Sequence, residues 1–294
     1  MKLSEQLQAE LATAGFTDLH WGEPLCHGTS NQNFRVKAQG EEWVLRINNP
    51  STQSLCPREN EVACWRQASA AGIAPELVFV STDHEIYLSQ YIHQPLPWEQ
   101  CYRDHADTPA LLLTMLRQLS DLPLPTRQVM PATQWEYYRR ELQRLLPTLS
   151  PSLAKIANQL LDEHPWMQAC VERLAAQPMA RFCHRDLNPN NLLMHQGRLL
   201  CIDFEYACTS DPRLELIALQ ACHQLSDAQS RLLLQGYLPG NGPQQAQHLA
   251  DARYAYWLFT ACWGLIMCAD GKRARRWLND ALHQLEYQTS RRVQ

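Results

Sequence analysis

Leu7 and Leu11 stand four apart after Ser4, a residue suited to capping a helix, and Gly15 follows them, so residues 4–14 read as a short amphipathic helix. The hydrophobic period then changes to two. Residues 33–38 and 42–47 each alternate apolar with polar, and Gln39-Gly40 between them supplies a tight turn, which predicts a β-hairpin. Helical spacing returns over residues 58–71, with Val62, Trp65 and Ala68 on one face and Gly72 and Pro75 as terminators. Two more apolar runs, 77–80 and 86–91, flank the turn formers Ser81-Thr82-Asp83-His84. The first ninety or so residues thus predict a sheet with one main helix.

Pro95 and Pro97 mark a change of regime. Helical patterns cover 110–119, 133–146, 153–161 and 166–176 and recur after Asp211, and Thr133-x-x-Glu136 reads as a capping box. The exception is a pair of short strands, 191–194 and 199–202, around His195-Gln196-Gly197. The expected fold class is α+β, with a small α/β lobe carrying an antiparallel sheet over residues 1–92 and a larger, mainly helical lobe over 93–294.

Composition narrows the function classes. Apolar residues make up 45% and charged residues 19% of 294, with a net charge of −4, which suits a globular enzyme. The one basic cluster, residues 272–276, is short and flanked by acids, so nucleic acid is not an expected partner. No apolar run nears the ~20 residues that span a bilayer, and no leader pattern opens the chain, so neither a membrane partner nor export is expected and the location is read as cytoplasmic. Eleven scattered cysteines, none in a C-x-x-C spacing, read as reduced thiols, and Cys222-His223 reads as helix packing rather than a metal pair. Nothing in the pattern fixes an oligomeric state.

The chemistry is concentrated in His184-Arg185-Asp186-Leu187-Asn188-Pro189-Asn190-Asn191, followed by Ile202-Asp203-Phe204-Glu205. Phosphoryl transfer asks a protein for hard oxygen ligands to Mg²⁺, a carboxylate beside the attacking hydroxyl, and cationic or backbone groups for the phosphates. Here a carboxylate and an amide oxygen share one loop, and a second carboxylate ends the strand that returns beside it. These residues resemble the aminoglycoside-phosphotransferase superfamily, in its choline/ethanolamine kinase and thiamine kinase branch, which has the protein-kinase-like two-lobed fold. The resemblance implies ATP and Mg²⁺ as cofactors, Asp186 as the catalytic carboxylate, Asn191 and Asp203 as metal ligands, and His184 as a brace for the loop.

The same resemblance extends to the small lobe. His27-Gly28-Thr29-Ser30-Asn31-Gln32-Asn33-Phe34 looks like the phosphate-covering stretch of choline-kinase-like proteins, which implies nucleotide contacts from Gly28, Thr29, Ser30, Asn31 and Asn33. Arg46 stands where protein kinases carry a strand lysine, and its fork of N–H donors suits phosphate oxygens. By family spacing its helix partner is Glu61 rather than Glu59. Ser89-Gln90-Tyr91-Ile92 resembles the hinge between lobes, which implies adenine contacts at Gln90 and Ile92.

The acceptor implied is the hydroxyl of a cationic alcohol. Ile202-Asp203-Phe204-Glu205-Tyr206-Ala207 resembles the choline-kinase form of the metal motif, and thiamine kinases carry Trp in place of Phe204. Such cations call for aromatic faces and nearby carboxylates. Trp263-Gly264-Leu265 resembles a segment near the choline pocket, so Trp263 is a candidate within the aromatic run Tyr254, Tyr256, Trp257, Phe259 and Trp263, although a stripe at helical spacing equally serves a core. Glu205 is the expected pocket carboxylate. Glu215, in Asp211-Pro212-x-x-Glu215, departs from the Asp usual in the family and is expected to hold the catalytic-loop backbone. Choline and thiamine stay open as acceptors. An aminoglycoside or other phosphotransferase is the alternative, and would want more acids. A nucleotide-binding pseudokinase module is the alternative of another class, against which stand the intact acid and metal ligands.

Overall fold

Ser4 accepts a hydrogen bond from the Leu7 N–H at 3.3 Å and starts helix α1 (Glu5–Thr13), as its place before the first apolar position predicts. The computed structural model describes residues 4–25, 31–49, 57–94, 96–238, 240, 242–269, 271 and 274–290. Beyond α1 an antiparallel sheet forms from β1 (His20–Leu25), β2 (Gln32–Ala38), β3 (Glu41–Ile47), β4 (Leu77–Val80) and β5 (Ile86–Gln90), in the order β1-β2-β3-β5-β4. Gln39 and Gly40 both have positive φ, 55° and 80°, so the hairpin turns through the left-handed pair that matches strand twist. Helix α2 (Arg58–Ala70) connects β3 to β4.

Strand β1 lies outside the sequence reading, because His20-Trp21-Gly22-Glu23-Pro24-Leu25 has neither alternation nor β-branched residues. It sits at the edge of the sheet, where a proline removes no needed ladder bond, and its register on β2 shifts between Trp21 and Pro24. Gly22 is required there: a Cβ would meet the Arg35 carbonyl oxygen at 2.6 Å.

The second lobe begins with α3 (Trp98–Cys101), α4 (Thr108–Ser120), α5 (Pro131–Leu145), α6 (Pro151–Asp162) and α7 (His164–Ala176). A short strand β6 (Arg181–Cys183) leads into the hairpin β7 (Leu192–His195) and β8 (Arg198–Cys201), and β9 (Cys208–Ser210) returns to pair with β6. The chain then runs through α8 (Pro212–Cys222), α9 (Asp227–Tyr237), α10 (Pro243–Ala269) and α11 (Arg275–Ser290). Helix α10 is the post of this lobe and packs on α5, α6, α7, α8 and α11. The molecule is therefore a two-lobed α+β protein.

Two local expectations change. Thr133 does not cap α5; the helix starts earlier, with Pro131 in its first turn, where a missing N–H costs nothing. Thr133 Oγ1 instead donates to the Met130 carbonyl, and Glu136 pairs with Arg139 and Arg140. A true capping box occurs at α9, between Ser226 and Gln229. The β6–β9 pair was also absent from the sequence reading, since three-residue strands are too short to establish a period.

The described cysteines are free, and Cys64, Cys170, Cys183, Cys201, Cys208 and Cys262 are buried. His223 packs as expected: its Nε2 accepts from Trp98 Nε1 at 3.3 Å, which leaves Nδ1 to donate to the Leu219 carbonyl at 3.1 Å. No described helix is long and apolar enough to cross a membrane. Most useful for the site is the core that joins the lobes. Trp65 of α2 stacks on Phe204 at 6.2 Å, and Phe204 also meets His184 at 4.8 Å, so the helix carrying Glu61 is packed directly on the turn carrying Asp203 and Glu205.

Candidate active site

A cavity of about 1130 Å³ lies between the lobes. Its floor is the loop between β6 and β7. Glu215 of α8 shapes that loop from beneath: Oε1 accepts the His184 N–H at 3.0 Å and Oε2 the Arg185 N–H at 2.8 Å. Arg185 is held at φ 68°, a left-handed conformation that costs a bulky residue on the order of 1–3 kcal/mol. Burial pushes Glu215 up to about 7, against the pull of Arg185 and the two N–H donors. Glu215→Gln puts an NH2 group against one of those N–H donors. We expect it to cost roughly 1–3 kcal/mol, read as a lower Tm, together with a fall in kcat at little changed nucleotide Kd.

His184 ties this loop to the end of β8 that leads into Asp203. Its Nδ1 accepts the Asp186 N–H at 3.3 Å, so Nε2 carries the proton and donates to the Ile202 carbonyl at 3.0 Å. Full burial lowers its pKa to about 4, so the imidazole is a neutral strut. Asp186 is gripped on both oxygens: Asn188 Nδ2 donates to Oδ1 at 2.9 Å and Asn191 Nδ2 to Oδ2 at 2.7 Å. Burial raises Asp186 to about 6, with the Asp203 charge adding to the shift and the two amides opposing it.

Asn191 Nδ2 also reaches the Asp186 carbonyl at 3.0 Å, which spends the NH2 on this loop and turns Oδ1 away from it. Asp203 sits at φ 68°, a conformation Asp tolerates better than most residues, and its side chain stays 30% exposed. Its Oδ1 lies 3.2 Å from Arg46 Nη1. Among the described residues no group of three or more His, Cys, Asp or Glu side chains is gathered to hold a metal by itself.

Arg46 is nearly buried and collects acids from both lobes: Glu61 at 2.8 Å, Asp203 at 3.2 Å and Glu205 at 3.9 Å, while its Nε donates to Asn48 at 2.7 Å. Burial opposes its charge, but these carboxylates outweigh that and raise its pKa. Arg58, missed in the sequence, joins the cluster at 2.7 Å from Glu61 and 4.0 Å from Glu205. Its place three residues before Glu61 on one helix face was the available signal. Glu59 is exposed.

The other expected residues divide as follows. Asn31 accepts the Asn49 N–H and reaches Glu205 at 3.5 Å, and Asn33 stands opposite Arg46 across the β2–β3 hairpin. Gly28, Thr29 and Ser30 lie outside the described residues. Gln90 and Ile92 line the cavity; the Gln90 N–H is taken by the Glu76 carbonyl at 2.8 Å, whereas the Ile92 N–H has no hydrogen bond among the described residues. Glu205 lines the cavity but is buried against Arg46, Arg58 and Asn31, and burial together with Asp203 raises it to about 7.

The aromatic run on α10 splits by face. Tyr256, Phe259 and Trp263 line the cavity, whereas Tyr254 turns to Glu163 and Trp166 on the far side of the helix. Trp277, which the sequence reading passed over, also lines the cavity and is 47% exposed. Its position follows from a close helix crossing: a Cβ on Gly264 would come within 3.1 Å of Leu278, so α10 and α11 touch at these two residues and their neighbours Trp263 and Trp277 both reach the cavity wall. Only the tertiary crossing reveals this pairing.

Residues 21–249 match the phosphotransferase enzyme family, described under the short name APH. Protein LicA of Haemophilus influenzae is 26% identical over 210 residues, which is 71% of this chain and 60% of that protein. The chain thus spans about three fifths of that relative. Among solved structures, a choline/ethanolamine kinase family protein from Mesorhizobium loti superposes with a TM-score of 0.71 at 22% identity, over 97% of this chain and 94% of that one. Choline kinase LicA from Streptococcus pneumoniae gives a TM-score of 0.71 at 16% identity, over 97% of each chain. A family match that runs unbroken from β1 into α10, across both lobes and every element of the cavity floor, makes the chain a member of the APH phosphotransferase family.

Proposed function

We propose that this protein transfers the γ-phosphoryl group of Mg·ATP to the hydroxyl of a small cationic alcohol of the choline or thiamine type. Residues 1–92 serve as the nucleotide-binding lobe and 93–294 as the catalytic and acceptor-binding lobe. The observation that carries this reading is the meeting of Asp186, Asn191, Asp203 and Arg46 in one interlobe cavity whose far wall is aromatic.

The donor set fits Mg²⁺. That ion keeps several waters and takes one or two protein carboxylates plus phosphate oxygens, so a part-exposed Asp203 carboxylate and the outward Asn191 Oδ1 suit it, and a closed protein cage is not needed. When bound, it would neutralise charge on the phosphates. The protein's own groups do the rest. Asp186, oriented by Asn188 and Asn191, accepts the proton of the acceptor hydroxyl as that oxygen bonds to the γ-phosphorus and ADP departs. Arg46, pinned by Glu61, presents its guanidinium to phosphate oxygens. The Ile92 N–H, which has no hydrogen bond among the described residues, offers a hinge donor to adenine.

Tyr256, Phe259, Trp263 and Trp277 favour a cation without N–H donors, held by ring faces. The described carboxylates on the cavity wall are Glu99, Asp186, Asp203 and Glu205, and the last two already face arginines, which is a poor match for a polyamine. The test is ADP release from Mg·ATP with choline, ethanolamine, thiamine, homoserine and an aminoglycoside. Stimulation by choline or thiamine is expected. A rise in Tm with Mg·ATP and no ADP formed with any acceptor would replace this reading by the pseudokinase one.

A further inference from the structure

The cavity does not end where a compact acceptor would. Tyr256, Phe259, Thr260, Trp263, Ile266 and Met267 all line it, at positions i, i+3, i+4, i+7, i+10 and i+11 of α10, so it follows one face of that helix. At 1.5 Å per residue, the run from Tyr256 to Met267 carries this wall over ~16 Å, about three turns. Its first turn touches α8, the helix that holds the catalytic loop through Glu215: the Tyr256 hydroxyl lies 4.0 Å from Cys222 Sγ, and Ala218 and Cys222 line the cavity beside it. Its last turn lies at the α11 crossing, where Trp277 is half exposed. Between them α5 forms the facing wall, with the Tyr138 ring 5.7 Å from that of Phe259.

The carboxylates lie elsewhere. Of the described acids on the cavity wall, Glu99, Asp186, Asp203 and Glu205, none belongs to α5, α8, α10 or α11. The long wall is therefore neutral and mostly apolar. A trimethylammonium group covers roughly one 5.4 Å turn of a helix face, and a cation must come within ~6 Å of a ring centroid to be held by it. A compact ammonium alcohol thus leaves most of this wall against water, whereas covering it is favourable in proportion to the apolar area removed. We infer that the acceptor is an elongated alcohol, with its hydroxyl and its positive charge near Asp186 and an uncharged apolar or aromatic body that lies along α10. This rests on the phosphotransfer reading above and deepens it, because it specifies the shape of the acceptor independently of which cation it carries.

The experiment measures ADP release by the full chain with Mg·ATP on two matched pairs of acceptors: choline against its N-benzyl analogue, and the N-methyl against the N-benzyl hydroxyethylthiazolium. Within each pair the hydroxyl and the charge are constant and only the body lengthens. In the better-accepted pair the benzyl member should have a kcat/KM roughly 10-fold or more above its partner, mainly through KM, from the burial of one ring. Thr260 lines the middle of the wall with a short side chain whose hydroxyl donates to the Tyr256 carbonyl of its own helix. Thr260→Phe fills the face at that point and should bring the ratio within the pair back towards one, with Tm and the KM for ATP reporting that the fold is intact. A benzyl member no better than its partner in either pair would overturn the inference and leave the phosphotransfer reading standing. So would a ratio that a folded Thr260→Phe leaves unchanged; if that variant does not fold, the wild-type ratios decide alone. No ADP release with any of these four alcohols overturns the inference as well, and if nothing in the wider panel is phosphorylated the phosphotransfer reading goes with it.

Discussion

Asp186→Ala is expected to lower kcat by about three orders of magnitude, in the middle of the range for a positioned acid–base group, while the Kd for Mg·ATP moves little. The reasoning is geometric. Asp186 is the one cavity carboxylate gripped by neutral amides on both oxygens, so each oxygen keeps a lone pair for the acceptor hydroxyl while its orientation is set. The pH profile gives a second readout. With a pKa raised to about 6, the carboxylate is ionised above that pH and is lost as pH falls through it, so kcat/KM should decline on the acid side with an apparent pKa near 6. Histidine would be the usual suspect for such a limb, but His184 is already neutral down to about pH 4 and cannot supply it. Asp186→Asn keeps both amide contacts only in part and should abolish the limb along with the rate. Near-normal turnover in Asp186→Ala would remove this residue from the chemistry.

Arg46→Met should be the most destabilising single change at the site. The guanidinium is the shared counter-charge for Glu61, Asp203 and Glu205, and its loss leaves these carboxylates with Arg58 alone, which itself reaches only Glu61 closely. Breaking a buried ion pair from one side costs roughly 3–5 kcal/mol, because the remaining charge keeps its desolvation penalty. For a chain of this size that corresponds to a fall in Tm on the order of 10 °C. The loss should be smaller at pH 5 than at pH 8: Glu205, raised to about 7 with Arg46 present, protonates more readily without it, and a neutral carboxyl needs no partner. Thermal denaturation at the two pH values checks the magnitude and the sign together. Equal losses at both would mean that Glu205 does not change its charge between these two pH values.

Much of this was legible before any coordinates. The β2–β3 hairpin, α2 and the β7–β8 hairpin follow from a clean change of hydrophobic period and from turn residues that accept positive φ, and the motif from His184 to Asp203 rests on the last of these elements. What escaped was set by tertiary proximity. Strand β1 is an edge strand that tolerates Gly22 and Pro24, so no local pattern announces it. Glu205 follows a metal-motif Asp in sequence, yet the Phe204 turn, packed on Trp65, swings it towards Arg46 and Arg58. Tyr138 and Trp277 lie far from the motif along the chain and meet the cavity only because α5 and α11 are docked on α10.

The neutral imidazole of His184 has a mechanical consequence. By bonding the Asp186 N–H on one side and the Ile202 carbonyl on the other, it welds the acid-bearing loop to the strand end that carries Asp203. Those two carboxylates are therefore parts of a single rigid block. If the lobes rock about the segment near Gln90, the spacing between Asp186 and Asp203 is conserved, and the contacts that change are those of Asp203, Phe204 and Glu205 with Arg46, Trp65 and Arg58.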